Sequence, residues 1–198
     1  DTLHLTNGKG EVFTATLQSN DPKHCMVHIV NVEQKKPLPY GLHLAISPTK
    51  LNDRFEWFLE KATEIGITQI TPIVCHHSER KVIKLERYQK IILSAGKQSL
   101  KYHFPVLHPI CSFKDFLEKQ EDVPHQKLIA HCQDLEKKSL KSQIKPKGNH
   151  LILIGPEGDF SATEITLASS MGYTGVSLGE NRLRTETAAI VACHSVAY

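Results

Sequence analysis

The stretch LILIGPEGDFSATEI, residues 151–165, decides how the rest of the chain is read. Leu151 to Ile154 is an apolar run of strand length, and it breaks into Gly155-Pro156-Glu157-Gly158. Regular structure resumes at Ser161, which has Glu164 three residues on. That spacing is a capping box, in which a Ser hydroxyl and a Glu carboxylate satisfy the first amides of a helix. The helix runs to about Met171, and a short strand follows from Tyr173 to Leu178. Next come Gly179-Glu180-Asn181-Arg182-Leu183-Arg184 and then TETAAIVACHSVAY (185–198), Ala-rich and almost uncharged. This last segment reads as a buried helix with Thr185 as its N-cap. Strand, glycine loop and helix therefore occur twice in succession. Ligands of open parallel sheets sit at the carboxyl ends of strands, so two such loops side by side imply a pocket.

Working outward, a chain of 198 residues with 40% hydrophobic content is long enough for one large or two small domains with a packed core. Its 24 basic and 21 acidic residues leave a formal charge of +3, too balanced for a general nucleic-acid signature. Any RNA-binding face must be a local patch. No apolar run approaches the ~20 residues of a membrane span, and nothing resembles a signal peptide. The five cysteines are an odd number without a C-x-x-C pair, which points to a reducing cytoplasm rather than a disulfide framework or zinc ribbon. Cys75-His76-His77 looks like a metal fragment, but adjacent residues at a strand end point to opposite faces. No metal is expected.

The first 36 residues alternate and turn like a small β unit. Asn7-Gly8 and Lys9-Gly10 mark a hairpin, and Glu11–Gln18 and Cys25–Val32 read as strands separated by Ser19-Asn20-Asp21-Pro22. A linker with Pro37, Pro39 and Gly41 places a domain boundary near residue 40, giving units 1–40 and 41–198. Beyond it strands alternate with helices. Strands are expected at 42–47, 70–74, Val106–Ile110 and Lys127–His131. A helix capped by Asn52 or Asp53 runs to Thr63 or Glu64, ahead of Gly66, and others cover Leu85–Leu100 and Phe113–Lys119. The Lys-rich stretch from Gln133 to Gly148 reads as solvated helix and loop. This alternation means an α/β fold with a mainly parallel sheet.

IGPEGDFSATEI followed by LGENRLRTETAAIVA resembles the paired signature of the SPOUT-superfamily RNA methyltransferases. Within that superfamily the resemblance is to the ribosomal RNA small subunit methyltransferase E family. Weaker likeness runs upstream through KATEIGI (61–67), SERKVIK (78–84) and AGKQSLKYHFP (95–105). The family usually has a second Gly where this chain has Asp159, and a shorter stretch where it carries Glu180-Asn181.

The resemblance implies a trefoil-knotted α/β domain with flanking helices, preceded by a PUA-like β-barrel. A barrel of this size would lack strands, so the resemblance also implies that an N-terminal piece lies outside this sequence. It implies S-adenosylmethionine as cofactor and methylation of N3 of a uridine in 16S ribosomal RNA, free or in the small ribosomal subunit. It implies a homodimer as well. The cofactor contacts carried over are Ile154, Gly155, Glu157 and Gly158 from the first loop. From the second they are Leu178, Gly179, Arg182, Leu183 and Thr187. Taken singly, each glycine reads first as a plain turn residue, and it is the pairing of the two loops that lifts the functional reading.

Neither loop suits a nucleotide phosphate. No Gly-Lys-Ser/Thr follows Gly-Pro-Glu-Gly, and no G-x-G-x-x-G occurs. A uridine N3 is a weak nucleophile until it loses its proton, so a base or a cation beside the flanking carbonyls is needed. Arg184 is the first choice for the cation, and Glu186 or Glu157 can accept the proton or orient that Arg. Two arginines at a helix start, where cations are disfavoured, point to an anionic partner. For the RNA, Arg80, Lys81, Lys84 and Lys101 form a candidate basic face with Tyr102 available for stacking; the bland reading is a solvated surface. Ribose 2′-O methylation is disfavoured, because RLRTET stands where those SPOUT relatives carry an Asn-containing motif. The rival of another class is a non-catalytic RNA-binding or ribosome-assembly protein on the same fold.

Overall fold

The computed structural model describes residues 1–19, 21, 23–120 and 126–198. The chain opens with an antiparallel meander of β1 (Thr2–Thr6), β2 (Glu11–Ser19) and β3 (Met26–Gln34). The expected hairpin turn is present: Gly8 has φ +71° and the Asn7 side chain accepts from Lys9 N at 2.8 Å. Val12 and Ala15 of β2 are buried, while β3 at the edge leaves Ile29, Val30 and Val32 exposed. A small antiparallel sheet of this kind fits a barrel-like unit. Asn20 and Pro22, half of the turn expected before β3, lie outside the described residues.

An α/β region follows: β4 (Gly41–Ile46), α1 (Asn52–Ile65), β5 (Gln69–Val74), α2 (Leu85–Gln98), β6 (Val106–Leu107), β7 (Cys111–Ser112) and α3 (Phe113–Lys119). It continues with β8 (Gln126–Ala130), β9 (Lys138–Ser139), α4 (Leu140–Gln143), β10 (Asn149–Ile154), α5 (Ala162–Ser170), β11 (Thr174–Ser177) and α6 (Thr185–Ala197). The main sheet has the order β6-β5-β4-β10-β8-β11-β9 and every pairing in it is parallel. The single strand expected over Val106–Ile110 is replaced by two short ones. Both β6 and β7 run beside β5, one against Gln69 and Ile70, the other against Ile73 and Val74. Pro109 lies between them and has no amide to donate to a ladder.

The strand β10 lies at the centre, and its four apolar residues are buried on both faces. Ile152 and Ile154 face α1, α2 and α6 through Phe55, Phe58, Tyr88, Ala192 and their neighbours. Leu151 and Leu153 face α3 and α5 through Phe113, Phe116, Phe160 and Ile165. Each of these four side chains contributes about 1.5–3 kcal/mol by leaving water. In α1 the apolar residues Phe55, Phe58, Leu59 and Ala62 recur at helical spacing, which turns one face to the sheet. Gly66, at φ +125°, ends it as expected. Its start departs from expectation. Leu51 is the N-cap, because the Asn52 side chain is drawn away to Glu56 and to the hydroxyl of Tyr88, which donates to it at 2.7 Å.

The segment Lys101–Phe104 joins the two sheets. Gly10 N donates to Tyr102 O at 2.8 Å, Phe104 N to Gly8 O at 2.9 Å, and the His103 Nε2 to Lys35 O at 2.9 Å. Among the described residues, no helix is long and apolar enough to cross a membrane.

Candidate active site

The first glycine loop leaves the carboxyl end of β10 and is tied down at almost every residue. The Gly155 carbonyl accepts from Thr185 Oγ1 at 3.1 Å. Thr185, expected to cap α6, instead occupies its first turn and reaches across to the other loop; Arg184 is the N-cap. Glu157 Oε1 accepts from Lys50 N at 2.9 Å, in the loop after β4. Asp159 Oδ2 accepts from Cys132 N at 2.8 Å, just past β8, and its Oδ1 accepts from Phe160 N at 2.8 Å. The capping box at Ser161 and Glu164 is formed, and the spare oxygen of Glu164 accepts from His76 N at 2.8 Å.

At two of the three glycines singled out in the sequence an added Cβ would meet neighbouring protein. A Cβ on Gly155 would stand 3.1 Å from the Phe160 ring, and one on Gly158 would stand 3.0 Å from His77 Cβ. Gly179 is different. Its φ is +134°, a conformation L-residues rarely adopt, and nothing lies within 4 Å of where its Cβ would be.

The second glycine loop leaves β11 with little to hold it. The Ser177 hydroxyl donates to Gly179 O at 2.9 Å, and Gly179 N returns a bond at 3.2 Å. Arg182 and Arg184 are exposed and pair with no acid among the described residues. Both stand at the positive end of α6, where an unpaired cation is disfavoured and an incoming anion would be favoured.

Between the loops lies a cavity of about 550 Å³, within the range of small-molecule sites. Ile154, Gly155 and Glu157 line it from the first loop. Leu178, Gly179, Arg182, Leu183 and Arg184 line it from the second. Gly158 and Thr187 are not in the lining. Neither is Glu186, which is buried with Oε1 3.7 Å from Arg54 Nε and with Oε2 unpaired among the described residues.

On the expected RNA face, Arg80 is engaged in the fold. Its Nε donates to Thr49 O at 3.0 Å and its Nη2 to Lys50 O at 2.8 Å, bracing the loop that holds Glu157. Lys81 and Lys84 are exposed ahead of α2, and Lys101 is half-buried beside the seam between the sheets. Tyr102 is half-buried there too, with Lys35 Nζ 5.6 Å from its ring. His76 and His77 are exposed, and burial pushes the Cys75 thiol well above its ordinary range.

A third wall of the cavity was not expected. His131 and Cys132, at the exit of β8, and Lys137, six residues beyond His131, complete the lining. The Lys-rich stretch read as solvated therefore includes a cavity residue, and its helical part is the four-residue α4. Burial, then the nearby Lys137 cation, push His131 below the ordinary histidine range, against an opposing pull from Asp159. The available signal was positional, since β8 is a parallel strand with a carboxyl end like those of β10 and β11.

The RNA methyltransferase domain family matches residues 36–197. The ribosomal RNA small subunit methyltransferase E of Mesomycoplasma hyopneumoniae is 32% identical over 189 residues, covering 93% of this chain and 74% of that protein. The chain belongs to the ribosomal RNA small subunit methyltransferase E family. Among solved structures, a probable rRNA-methyltransferase from Porphyromonas gingivalis is 40% identical with a TM-score of 0.92, covering 99% of this chain and 84% of that one. The family's enzyme from Neisseria gonorrhoeae, crystallised with S-adenosylmethionine, is 29% identical with a TM-score of 0.82 over 98% of this chain and 81% of its own.

Membership in the family sharpens one departure. Asp159, where the resemblance leads one to expect a second Gly, has φ +64°. The left-handed backbone explains a preference for Gly, and Asp tolerates it because its short carboxylate bonds to nearby amides. The Asp159 carboxylate is an anchor between the exits of β8 and β10.

Proposed function

We propose that this chain methylates N3 of a uridine in 16S ribosomal RNA, in the small ribosomal subunit, with S-adenosylmethionine as methyl donor and without a metal. The observation that carries the reading is the cavity bounded by both glycine loops, with Arg182 and Arg184 at its wall and unpaired among the described residues.

The residues present fit the donor. Ile154, Leu178, Leu183 and Ala188 give the cavity apolar surface for a purine, while the open backbone at Gly179 lets a flat group come close. The buried His131 Nδ1, unpartnered among the described residues, is a polar position awaiting a ligand group. When bound, S-adenosylmethionine supplies a methyl group already activated by its sulfonium.

The work left to the protein is to position the uracil and stabilise its charge. Arg184 holds a permanent positive charge on a forked donor, suited to the carbonyl oxygens flanking N3 as negative charge gathers there. Of the two carboxylates considered for the proton, Glu157 is preferred. It lines the cavity and keeps one oxygen beyond the bond to Lys50 N, whereas Glu186 is buried against Arg54. Lys81 and Lys84, exposed on one side, would meet RNA phosphates, with Arg80 and Lys101 acting at least partly within the fold. The chain is read as two domains, 1–40 and 41–198.

A trefoil knot is proposed in which α6 passes through the loop that leads from β8 to β10. Supporting it, α6 is packed among α1, α4, β4 and β10. A homodimer is proposed too, and Trp57 on α1 and Tyr198 at the end of α6 are exposed aromatic groups on two helices that pack together.

The test is incubation of small ribosomal subunits, and separately of naked 16S RNA, with the chain and S-adenosylmethionine. Mass spectrometry of the digested RNA is expected to show 3-methyluridine. A methylated ribose, or no modification of either substrate, would overturn the reading.

A further inference from the structure

The whole chain has a formal charge of only +3, and its basic surplus is gathered in one place. From Lys137 to Asn149 the sequence holds five lysines (Lys137, Lys138, Lys141, Lys145 and Lys147) and no acid, whereas the remainder of the chain holds more acids than bases. Among the described residues, none of these ammonium groups pairs with a carboxylate. Lys137 is held by two carbonyls, of Gln133 at 2.6 Å and His131 at 3.3 Å, while the other four are exposed. Like charges gathered without counterions repel one another, and a polyanion laid along them removes that cost.

The fold lays these lysines out in a line that begins at the cavity. Lys138 and Ser139 of β9 stand opposite Val176 and Ser177 of β11 in parallel register, and Val176 and Ser177 line the cavity. The carboxyl end of β9 is therefore beside the second loop with its two arginines. From there α4 packs on α6, and Leu140 and Ile144 turn into the core, which leaves Lys141 and Lys145 outward. The chain then arrives at the amino end of β10, where Gly148 O accepts from Gly41 N at 3.2 Å and Lys145 O from Gly148 N at 3.0 Å. The line thus descends from the cavity rim, on the α6 side of the sheet, over about the length of β10, roughly 20 Å.

We propose that Lys138, Lys141 and Lys145 form a track for the sugar-phosphate backbone of the RNA substrate, taken by the strand flanking the nucleotide in the cavity. The proposal rests on the methyltransferase reading and adds a surface on a different segment from Lys81 and Lys84. The exposed residues of this stretch are lysines with Ser139, Ser142, Pro146 and Asn149, so it offers cations, hydroxyls and an amide but no apolar anchor. That chemistry suits phosphates and riboses rather than a protein interface, whose core is apolar and depleted in lysine. A lysine on a short edge strand also discourages pairing with another sheet, which would account for Lys138, but Lys141 and Lys145 lie beyond the edge strand.

Lys138→Gln, Lys141→Gln and Lys145→Gln combined in the full chain test this against a control of equal charge change, Lys90→Gln, Lys114→Gln and Lys119→Gln, on α2 and α3. Methylation of small ribosomal subunits gives kcat and KM. Filter binding to naked 16S RNA across a salt series gives the slope of log affinity against log salt. In the track variant kcat/KM is expected to fall about tenfold or more near ~0.15 M salt, through KM, with kcat within about twofold. Its salt slope on naked RNA should be shallower by about 2–3, near one per lysine. The control should match the unaltered chain in both. Should urea unfolding show the combined variant to be less stable, the single variants carry the test, each expected to lose about one unit of slope. Equal losses in track variant and control would reduce the effect to bulk charge and overturn the proposal, as would a track variant that behaves like the unaltered chain. A loss on subunits with an unchanged slope on naked RNA would assign the lysines to a ribosomal protein and overturn it too. If the unaltered chain methylated neither subunits nor RNA, the methyltransferase reading would fail by itself, and the track would stand or fall on the salt slopes.

Discussion

The loops after β10 and β11 stand on either side of one cavity and are built on opposite principles. The first is pinned from outside itself: to Lys50 N, Cys132 N and Thr185 Oγ1 through three of its own oxygens, and to His76 N through Glu164 at the start of α5. Among the described residues the second has one local exchange between Ser177 and Gly179, and its two arginines are exposed. A pinned wall contributes preorganisation, because its groups do not have to be ordered when a ligand arrives. A loosely bonded wall carrying permanent charge can adjust to a second substrate such as RNA. Under the proposed function the first loop would shape the pocket and offer Glu157, and the second would offer the arginine charge.

Arg184→Ala probes that division most severely. Turnover is expected to fall by about 10²–10³-fold, the usual cost of losing one charge-stabilising donor. The affinity for S-adenosylhomocysteine should stay within about threefold, or less than ~1 kcal/mol. Steady-state kinetics on RNA and calorimetry together check it. Equal losses in both would move Arg184 from chemistry to binding, and the two loops would no longer divide the labour.

Gly179→Ala is expected to act in the middle of the range. Its Cβ would meet nothing, so any effect comes from the backbone, where a non-glycine residue at positive φ costs about 1–3 kcal/mol. Because few bonds hold this loop, it can relax and spare the global fold. The expected result is about tenfold weaker S-adenosylhomocysteine binding with an unfolding midpoint near that of the unaltered chain. Gly155→Ala should do the reverse, lowering the midpoint through the Phe160 contact. If both variants lost stability equally, the second loop would be as firmly built as the first.

How far the sequence revealed this arrangement depended on the reach of each interaction. Signals contained within a few residues were legible: the Ser161–Glu164 box, the Gly66 stop, α3 over Phe113–Lys119 and the two glycine loops. Residues whose partners lie far along the chain were misread. Asn52 looked like a cap, but its partner is Tyr88, 36 residues away, and Thr185 looked like a cap, but it bonds Gly155, 30 residues away. Gly158 packs on His77, 81 residues away, a contact that its own neighbours in the sequence do not announce. His131 and Lys137 had no local pattern at all. Their meeting in the cavity depends on β8 lying between β10 and β11, a fact of strand order that the sequence of β8 does not encode.

The smallest expected effect tests where the stiffness of the first loop resides. Asp159 sits at φ +64°, so replacing it with Gly relieves backbone strain but loosens the unfolded chain, two terms of about 0.5–1 kcal/mol that largely cancel. What is left is the loss of the bonds to Cys132 N and Phe160 N, each worth about 0.5–1.5 kcal/mol net and less where water can replace it, as at the exposed Cys132. Asp159→Gly should therefore cost only about 1 kcal/mol in urea unfolding. Asp159→Ala loses the same bonds and puts at φ +64° a side chain with no local hydrogen bond to favour that backbone, so its strain exceeds that of Asp and it should be the less stable of the two. The opposite order would mean that the left-handed backbone is no burden here and that the carboxylate is not what holds the turn. The first loop would then be stiff because of its packing on Phe160 and His77, and its contrast with the second loop would come from the core beneath it rather than from its polar anchors.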